Sequence, residues 1–214
     1  MLTSLTLNIK HITDLSKFQT FISLLATRAG NILNISEISK ECGVTEPTCR
    51  SWLSILESTY IIYLLKPYYN NHSKRLIKSP KLYFVDTGLL CYLLGIDNIP
   101  RLLKSSERGS IFENMIIMEF LKKSSYLTGR TNFYYYRTQN KVEVDLIIQR
   151  HNEMIPIEIK FTKTPSKSMA RSVNNFLKDY NLEKGYLVSI SDDKTNLYEN
   201  VTAVHWSEMI RNFE

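Results

Sequence analysis

The chain has 214 residues, enough for one large domain or two small ones with a sizeable core. Hydrophobic residues at 43% and charged residues at 22% are the proportions of a globular protein, and no long uncharged apolar run is present to span a bilayer. The net charge of +6 is shared between both halves rather than gathered in one tail, which favours a polyanionic partner without identifying it.

The opening stretch "MLTSLTLNIKHITD" lacks the basic-then-apolar order of a signal peptide. Cys42, Cys49 and Cys91 show no CxxC spacing, so they read as reduced thiols and the chain as a cytoplasmic protein. His11, His72, His151 and His205 are scattered and form no paired-ligand motif.

In chain order, "LSKFQTFISLLATRAG" carries Phe18, Ile22 and Leu25 at helical spacing and stops at Gly30. Next, "NISEISKECGVTEPTCRSWLSILE" gives a short helix capped by Ser36 and ended by Gly43. A second helix follows, capped by Thr45 with Pro47 in its first turn. Cys49, Trp52, Leu53 and Leu56 fall on one face of it. That layout is a helix-turn-helix. The strand "YIIYLLKPYY", the loop "NNHSKRLIKSP" and the strand "KLYFVD" then complete a winged helix, with Lys74, Arg75, Lys78 and Lys81 concentrated in the wing for phosphate contacts. Thr48, Arg50 and Ser51 are the DNA-facing candidates on the second helix, although Glu46 and Glu57 make it a poor electrostatic match to phosphates. A winged helix used only for protein contact is the competing reading.

"LYFVDTGLL" holds Asp86-Thr87-Gly88 after an apolar strand and resembles the active-site triplet of aspartic proteases. Those enzymes need two carboxylates sharing a proton, so Asp86 is read instead as the cap of the helix that follows.

"GSIFENMIIMEFLKK" is an amphipathic helix in which Ser110 and Glu113 are spaced as a capping box. "NFYYYRT" is a strand, "VEVDLIIQRHNEMIPIEIK" a hairpin, "SKSMARSVNNFLKDYN" a helix, "KGYLVSI" a strand, and "NVTAVHWSEM" a last strand with a short tail. Within the hairpin, Val144, Leu146 and Ile148 share one apolar face with Ile157, Ile159 and Phe161. Glu143, Asp145, Glu158 and Lys160 then share the other. A two-residue turn at His151-Asn152, where Asn152 tolerates positive φ, sets Asp145 opposite Glu158. Adjacent carboxylates repel unless neutralised, by Lys160 in part or by a divalent cation such as Mg²⁺, with the Ile159 carbonyl as a further ligand. The bland alternative is a hairpin with a solvated charged face.

The order of Glu113, Asp145, Glu158 and Lys160 resembles the PD-(D/E)xK nuclease superfamily, with "FEN", "EVD" and "IEIK" at the family's helix acid, metal-binding Asp and Glu-x-Lys. More closely, the chain resembles the domain-of-unknown-function family found C-terminal to the core of bacterial and archaeal AAA-type ATPases. The stretches that carry this are "SKECGVTEPTCRSWLSILESTYIIYLLKPY", "KSPKLYFVDTGLL", "FENMIIMEFL", "YYYRTQNKVEVDLII" and "IPIEIKFTKTPS".

The resemblance implies an α/β protein with a winged helix over residues 1–100. A restriction-endonuclease-like αβββαβ domain with a mixed sheet would occupy 101–214. It further implies that Asp145 and Glu158 bind Mg²⁺ or Mn²⁺, that Lys160 acts on the attacking water, and that Glu113 completes the site. Arg137 and Gln139, just before the hairpin, are placed to contact a scissile phosphate. No GxxxxGK[ST] loop is present, so this sequence has no ATP site, and an ATPase core would act in cis or in trans. The expected function is metal-dependent hydrolysis of DNA, with a non-catalytic DNA- or protein-binding regulatory module as the alternative.

Overall fold

The computed structural model describes residues 14–69, 78–140, 142–151 and 153–213. The chain divides into two compact units, Met1–Leu64 with Ser79–Ser105, and Leu65–Lys78 with Ser106–Glu214. Their described residues hold eight helices and a mixed six-stranded sheet.

The first unit begins with α1 (Leu15–Ala26), whose Asp14 cap accepts from the Lys17 amide. Its buried stripe is Phe21, Leu25 and Ala26, and Ile22 is only half-buried. The helix stops at Ala26, short of Gly30. Gly30 instead takes positive φ (78°) in a turn and donates its amide to the Leu82 carbonyl at 2.8 Å. In α2 (Ile35–Cys42) the cap is Asn34 rather than Ser36, because the Asn34 side chain accepts from the Glu37 amide. Gly43 then turns the chain at φ 63°, and Thr45 caps α3 (Glu46–Ser58) by accepting from the Thr48 amide. Cys49, Trp52, Leu53 and Leu56 are all buried, and Trp52 meets Phe18 and Phe21 edge-on at 5.3 and 5.4 Å.

Strands β1 (Ile62–Leu65) and β2 (Lys81–Phe84) form a two-stranded sheet. Asp86 caps α4 (Thr87–Leu93), its Oδ1 accepting from the Leu89 amide at 2.8 Å, which is the bland reading of the Asp-Thr-Gly triplet. The short α5 (Ile99–Lys104) follows, capped by Asn98.

The second unit opens with Lys66 to Tyr68, where the stretch predicted as one strand has left β1. Here the Tyr135 amide donates to the Lys66 carbonyl and the Tyr68 amide to the Tyr135 carbonyl, at 3.0 and 2.7 Å. Next comes α6 (Arg108–Ser124). It starts ahead of Ser110, whose hydroxyl donates to the Glu107 carbonyl, so the capping box expected from Ser110 and Glu113 does not form.

Strands β3 (Thr131–Arg137), β4 (Glu143–Arg150) and β5 (Glu153–Ile159) run as an antiparallel meander. A parallel strand after β5 needs a crossover, and α7 (Arg171–Tyr180) supplies it before β6 (Gly185–Ser189). Two further strands finish the sheet, the last of them expected from the sequence and the edge strand before it missed. Strand β8 (Val201–His205) lies parallel to β6, and β7 (Thr195–Tyr198) forms an antiparallel edge on β8, giving the order β3-β4-β5-β6-β8-β7. The expected tail is a single short helix, α8 (Trp206–Arg211).

The sheet is covered on both faces. Val173, Phe176 and Leu177 of α7 pack with Ile147, Leu187 and Ala203 in one apolar cluster. Around α6, Phe112 meets Phe161 at 5.4 Å and Phe120 meets Phe213 at 5.3 Å. Consequently β4 is buried continuously from Val144 to Ile148, and the face expected to be solvated is interior. No described helix is long and apolar enough to cross a membrane.

Candidate functional site

The β4–β5 register pairs Arg150 with Glu153 and Leu146 with Ile157. Carried one step further, it brings Asp145 across from Glu158, and strand alternation puts both on one face with Lys160. The turn has two residues; His151 takes φ 53°, and Asn152 lies outside the described residues.

Asp145 and Glu158 are buried, at 5% and 7% exposure. Carboxylates tolerate such burial only when paired or hydrogen-bonded. Asp145 Oδ2 accepts from the Ile159 amide at 2.9 Å and lies 3.2 Å from Lys160 Nζ. Lys160 Nζ also sits 2.6 Å from Glu158 Oε1, so one ammonium bridges both acids. The Lys160 amide donates to the Val188 carbonyl at 2.9 Å, fixing the backbone beneath that bridge. Glu158 Oε2 is buried with no hydrogen-bond partner.

The electrostatics follow from the burial. Desolvation, then the Asp145 charge, pushes Glu158 up to about 8 against the opposing pull of Lys160, with Glu113 adding a smaller upward push. Burial by itself would lower the Lys160 ammonium, but Asp145, Glu158 and Glu113 together hold it above its ordinary value. At neutral pH the cluster therefore holds a charged Lys160 and a Glu158 that retains its proton. Half-buried Glu113, on α6, acts on both Glu158 and Lys160 through its charge.

The remaining candidates divide. Arg137 pairs across the strands with Glu143, Nη1 to Oε2 at 2.9 Å, on the face that carries Asp145, and its Nε is buried without a partner. Gln139 is exposed in the turn after β3. In the first unit Thr48 shares a 2.9 Å hydroxyl contact with Thr45, and exposed Arg50 faces Glu46 at 3.4 Å. Lys78 is exposed, whereas Lys74 and Arg75 lie outside the described residues. Lys81 does not belong with them: it opens β2 and is 2% exposed, so it cannot reach a phosphate. Glu143 was not singled out as a partner of Arg137. Its two-residue spacing from Asp145 was a usable signal, but the cross-strand arginine was not visible without the β3 register.

Among the described residues no group of three His, Cys, Asp or Glu side chains is arranged to hold a metal ion. The site offers two carboxylates. Magnesium is commonly held by one or two carboxylates with several waters, and the unpartnered Glu158 Oε2 is an oxygen such an ion would satisfy. The donor set therefore fits a hard divalent cation.

Comparison with known proteins finds two matching family models. Residues 6–99 match a domain of unknown function (DUF8612). Residues 108–209 match a second domain of unknown function (DUF4143). An uncharacterized protein of Mycobacterium tuberculosis and one of Mycobacterium bovis are each 32% identical to the chain over 182 residues, covering 85% of it and 40% of the relative. An uncharacterized protein of Haemophilus influenzae is 24% identical over 156 residues, covering 70% of the chain and 35% of the relative. The chain thus spans about 40% of the length of the mycobacterial relatives it matches. No solved structure matches it.

Proposed function

We propose that the second unit is a metal-dependent nuclease module of the restriction-endonuclease-like kind, hydrolysing DNA phosphodiester bonds. In this reading a winged-helix DNA-binding unit precedes it, with the functional boundary near residue 100, and both work as part or partner of an AAA-type ATPase. The observation that carries the reading is the buried Asp145–Lys160–Glu158 cluster with its unsatisfied Glu158 Oε2.

Asp145 and Glu158 would hold Mg²⁺ or Mn²⁺, with the Ile159 carbonyl as the nearest backbone oxygen to join them. A cation bound there supplies a polarised phosphate and a more acidic water. Lys160, released from bridging the acids, would orient or deprotonate that water, and Glu113 would complete the acidic set. Arg137 and Gln139 would hold the scissile phosphate, and Thr48, Arg50, Lys74, Arg75 and Lys78 the DNA backbone.

The test is calorimetric titration of Mn²⁺ into the wild type and Asp145→Ala, without and with duplex DNA, alongside a cleavage assay. Saturable binding and cleavage, both lost in a folded Asp145→Ala, are the expected result. The alternative is a non-catalytic DNA- or protein-binding regulatory module. It is favoured by one feature: Lys160 already contacts both acids, so the cluster is electrostatically closed without an ion. Absence of Mn²⁺ binding even with DNA present would establish that alternative over the nuclease.

A further inference from the structure

Basic side chains are unevenly placed in the second unit. The nineteen residues from Lys160 to Lys178 hold five lysines and arginines and no acid, while the rest of Ser106–Glu214 holds ten basic and fourteen acidic side chains. Exposed cations elsewhere in the unit have partners: Lys122 lies 2.9 Å from Glu119, and Lys184 lies 3.3 Å from Glu153. Lys163, Lys167 and Arg171 are different. All three are exposed, and among the described residues no carboxylate lies within ion-pair distance of them.

The backbone under these cations is fixed, and it starts at the acidic cluster. Just past β6, the Ile190 amide donates to the Thr162 carbonyl at 3.2 Å, and the Thr164 amide donates to the Thr162 hydroxyl at 3.1 Å. Further on, the Tyr198 hydroxyl of β7 donates to the Lys167 carbonyl at 2.9 Å, and the Lys167 ammonium lies 6.0 Å from the centre of that ring. In the order β5-β6-β8-β7 the segment thus travels three strand spacings, roughly 14 Å, away from Lys160. That is the rise of about four nucleotides of a duplex strand. Arg171 then opens α7 on the side away from buried Val173, Phe176 and Leu177. The exposed hydroxyls of Thr164 and Ser168 are interleaved with the cations, and such a mixture suits phosphate oxygens.

We propose that Lys163, Lys167 and Arg171 form a phosphate track that holds one strand of duplex DNA as it leaves the Asp145–Lys160–Glu158 cluster towards the β7 edge. Contacts of this kind fix register and carry no sequence preference. DNA as the occupant rests on the nuclease reading of that cluster, whereas the track is tested by binding alone.

Fluorescence anisotropy of a labelled duplex is followed across a salt series with the full chain in EDTA, so that binding is read without cleavage. Lys163→Gln/Lys167→Gln/Arg171→Gln should flatten the slope of log affinity against log salt by about 2.7, at ~0.9 per lost phosphate contact, and weaken binding about tenfold or more. Lys122→Gln/Lys184→Gln/Lys194→Gln removes the same charge from side chains that are each more than half exposed, and should change the slope by less than one contact. Melting curves check that both variants are folded. In the wild type, amide resonances that shift on adding the duplex should centre on residues 162–171, which locates the contact without any variant. Track-dependent binding with no Mn²⁺-dependent cleavage would keep the track and sink the nuclease reading. Cleavage by the wild type, with the track variant binding as tightly, would do the reverse. Equal weakening by the two triple variants, shifts centred elsewhere, displacement of the duplex by polyglutamate, or no duplex binding would also overturn the track.

Discussion

At the scale of single residues, the candidate site turns on how three side chains share charge in a buried place. Lys160 bridges two acids that are each under 8% exposed. Lys160→Met should destabilise the fold by about 2 kcal/mol in urea denaturation. That is less than the ~3–5 kcal/mol for breaking a fully buried pair, because 39% of the Lys160 side chain stays exposed. If the cluster holds cations, Mn²⁺ should restore part of that loss, since a ligand that binds only the folded state stabilises it. Glu158 gives a pH signature. It titrates near 8 in the folded chain and near 4.5 when exposed, so between those values the folded state keeps a proton that the unfolded state has released. The contribution of this group therefore makes stability fall as pH rises from about 4.5 to 8, then level off. Glu158→Gln should remove that slope from a series of urea titrations across the window. Apparent Mn²⁺ affinity of the wild type should rise by up to about tenfold per pH unit below 8, because the ion displaces the proton. Much of this cluster was legible in the sequence: period-two alternation and a two-residue turn are enough to set Asp145 against Glu158. The Ile159 amide on Asp145 and the Glu143–Arg137 pair were not, because each depends on a backbone or strand that the hairpin pattern alone does not place.

At the scale of elements, the tightest local constraint is where α7 lies on the sheet. A Cβ built on Gly185 would come within 2.6 Å of Val173 Cγ1 and 3.2 Å of Pro156. Gly185→Ala should therefore destabilise by about 1–3 kcal/mol through overpacking, and Val173→Ala in the same chain should recover part of it. An additive double-mutant cycle, measured by thermal or urea unfolding, would show that the contact is not the cause. Local chemistry predicted several element ends correctly: Thr45 and Asp86 cap their helices, and Gly43 ends α2 in the left-handed region. It missed others for identifiable reasons. Asn34 and Ser36 are both good caps, and the choice fell to the residue whose backbone is extended. Strand β7 buries only Leu197 fully, too little for a pattern of four residues to register. The stretch from Ile62 to Tyr68 reads as one apolar strand, yet its first part pairs with β2 and its last with β3.

At the scale of the whole molecule, net charge is the feature with a measurable consequence. If DNA is the partner, log affinity should fall linearly with log salt. Arg50→Glu and Lys78→Glu should each flatten that line by about one phosphate contact, readable by fluorescence anisotropy across a salt series. A slope near zero would remove nucleic acid as the partner. Lys81 is excluded from that set by its burial in β2. This was invisible in a loop that looked uniformly basic.

What the sequence determined by itself was periodicity and local chemistry: which residues form helices and strands, which cap them, and which side chains of one hairpin share a face. Those properties depend on neighbours a few residues apart. What only the tertiary structure decided was what lies against each face. Alternation puts Asp145 on the side of β4 away from Val144, which packs with α7. It took the packing of α6 and α7 around the sheet to make a charged surface into a buried cluster. Burial raises the Glu158 carboxyl and leaves Oε2 without a partner, and burial is a property of residues distant in the chain.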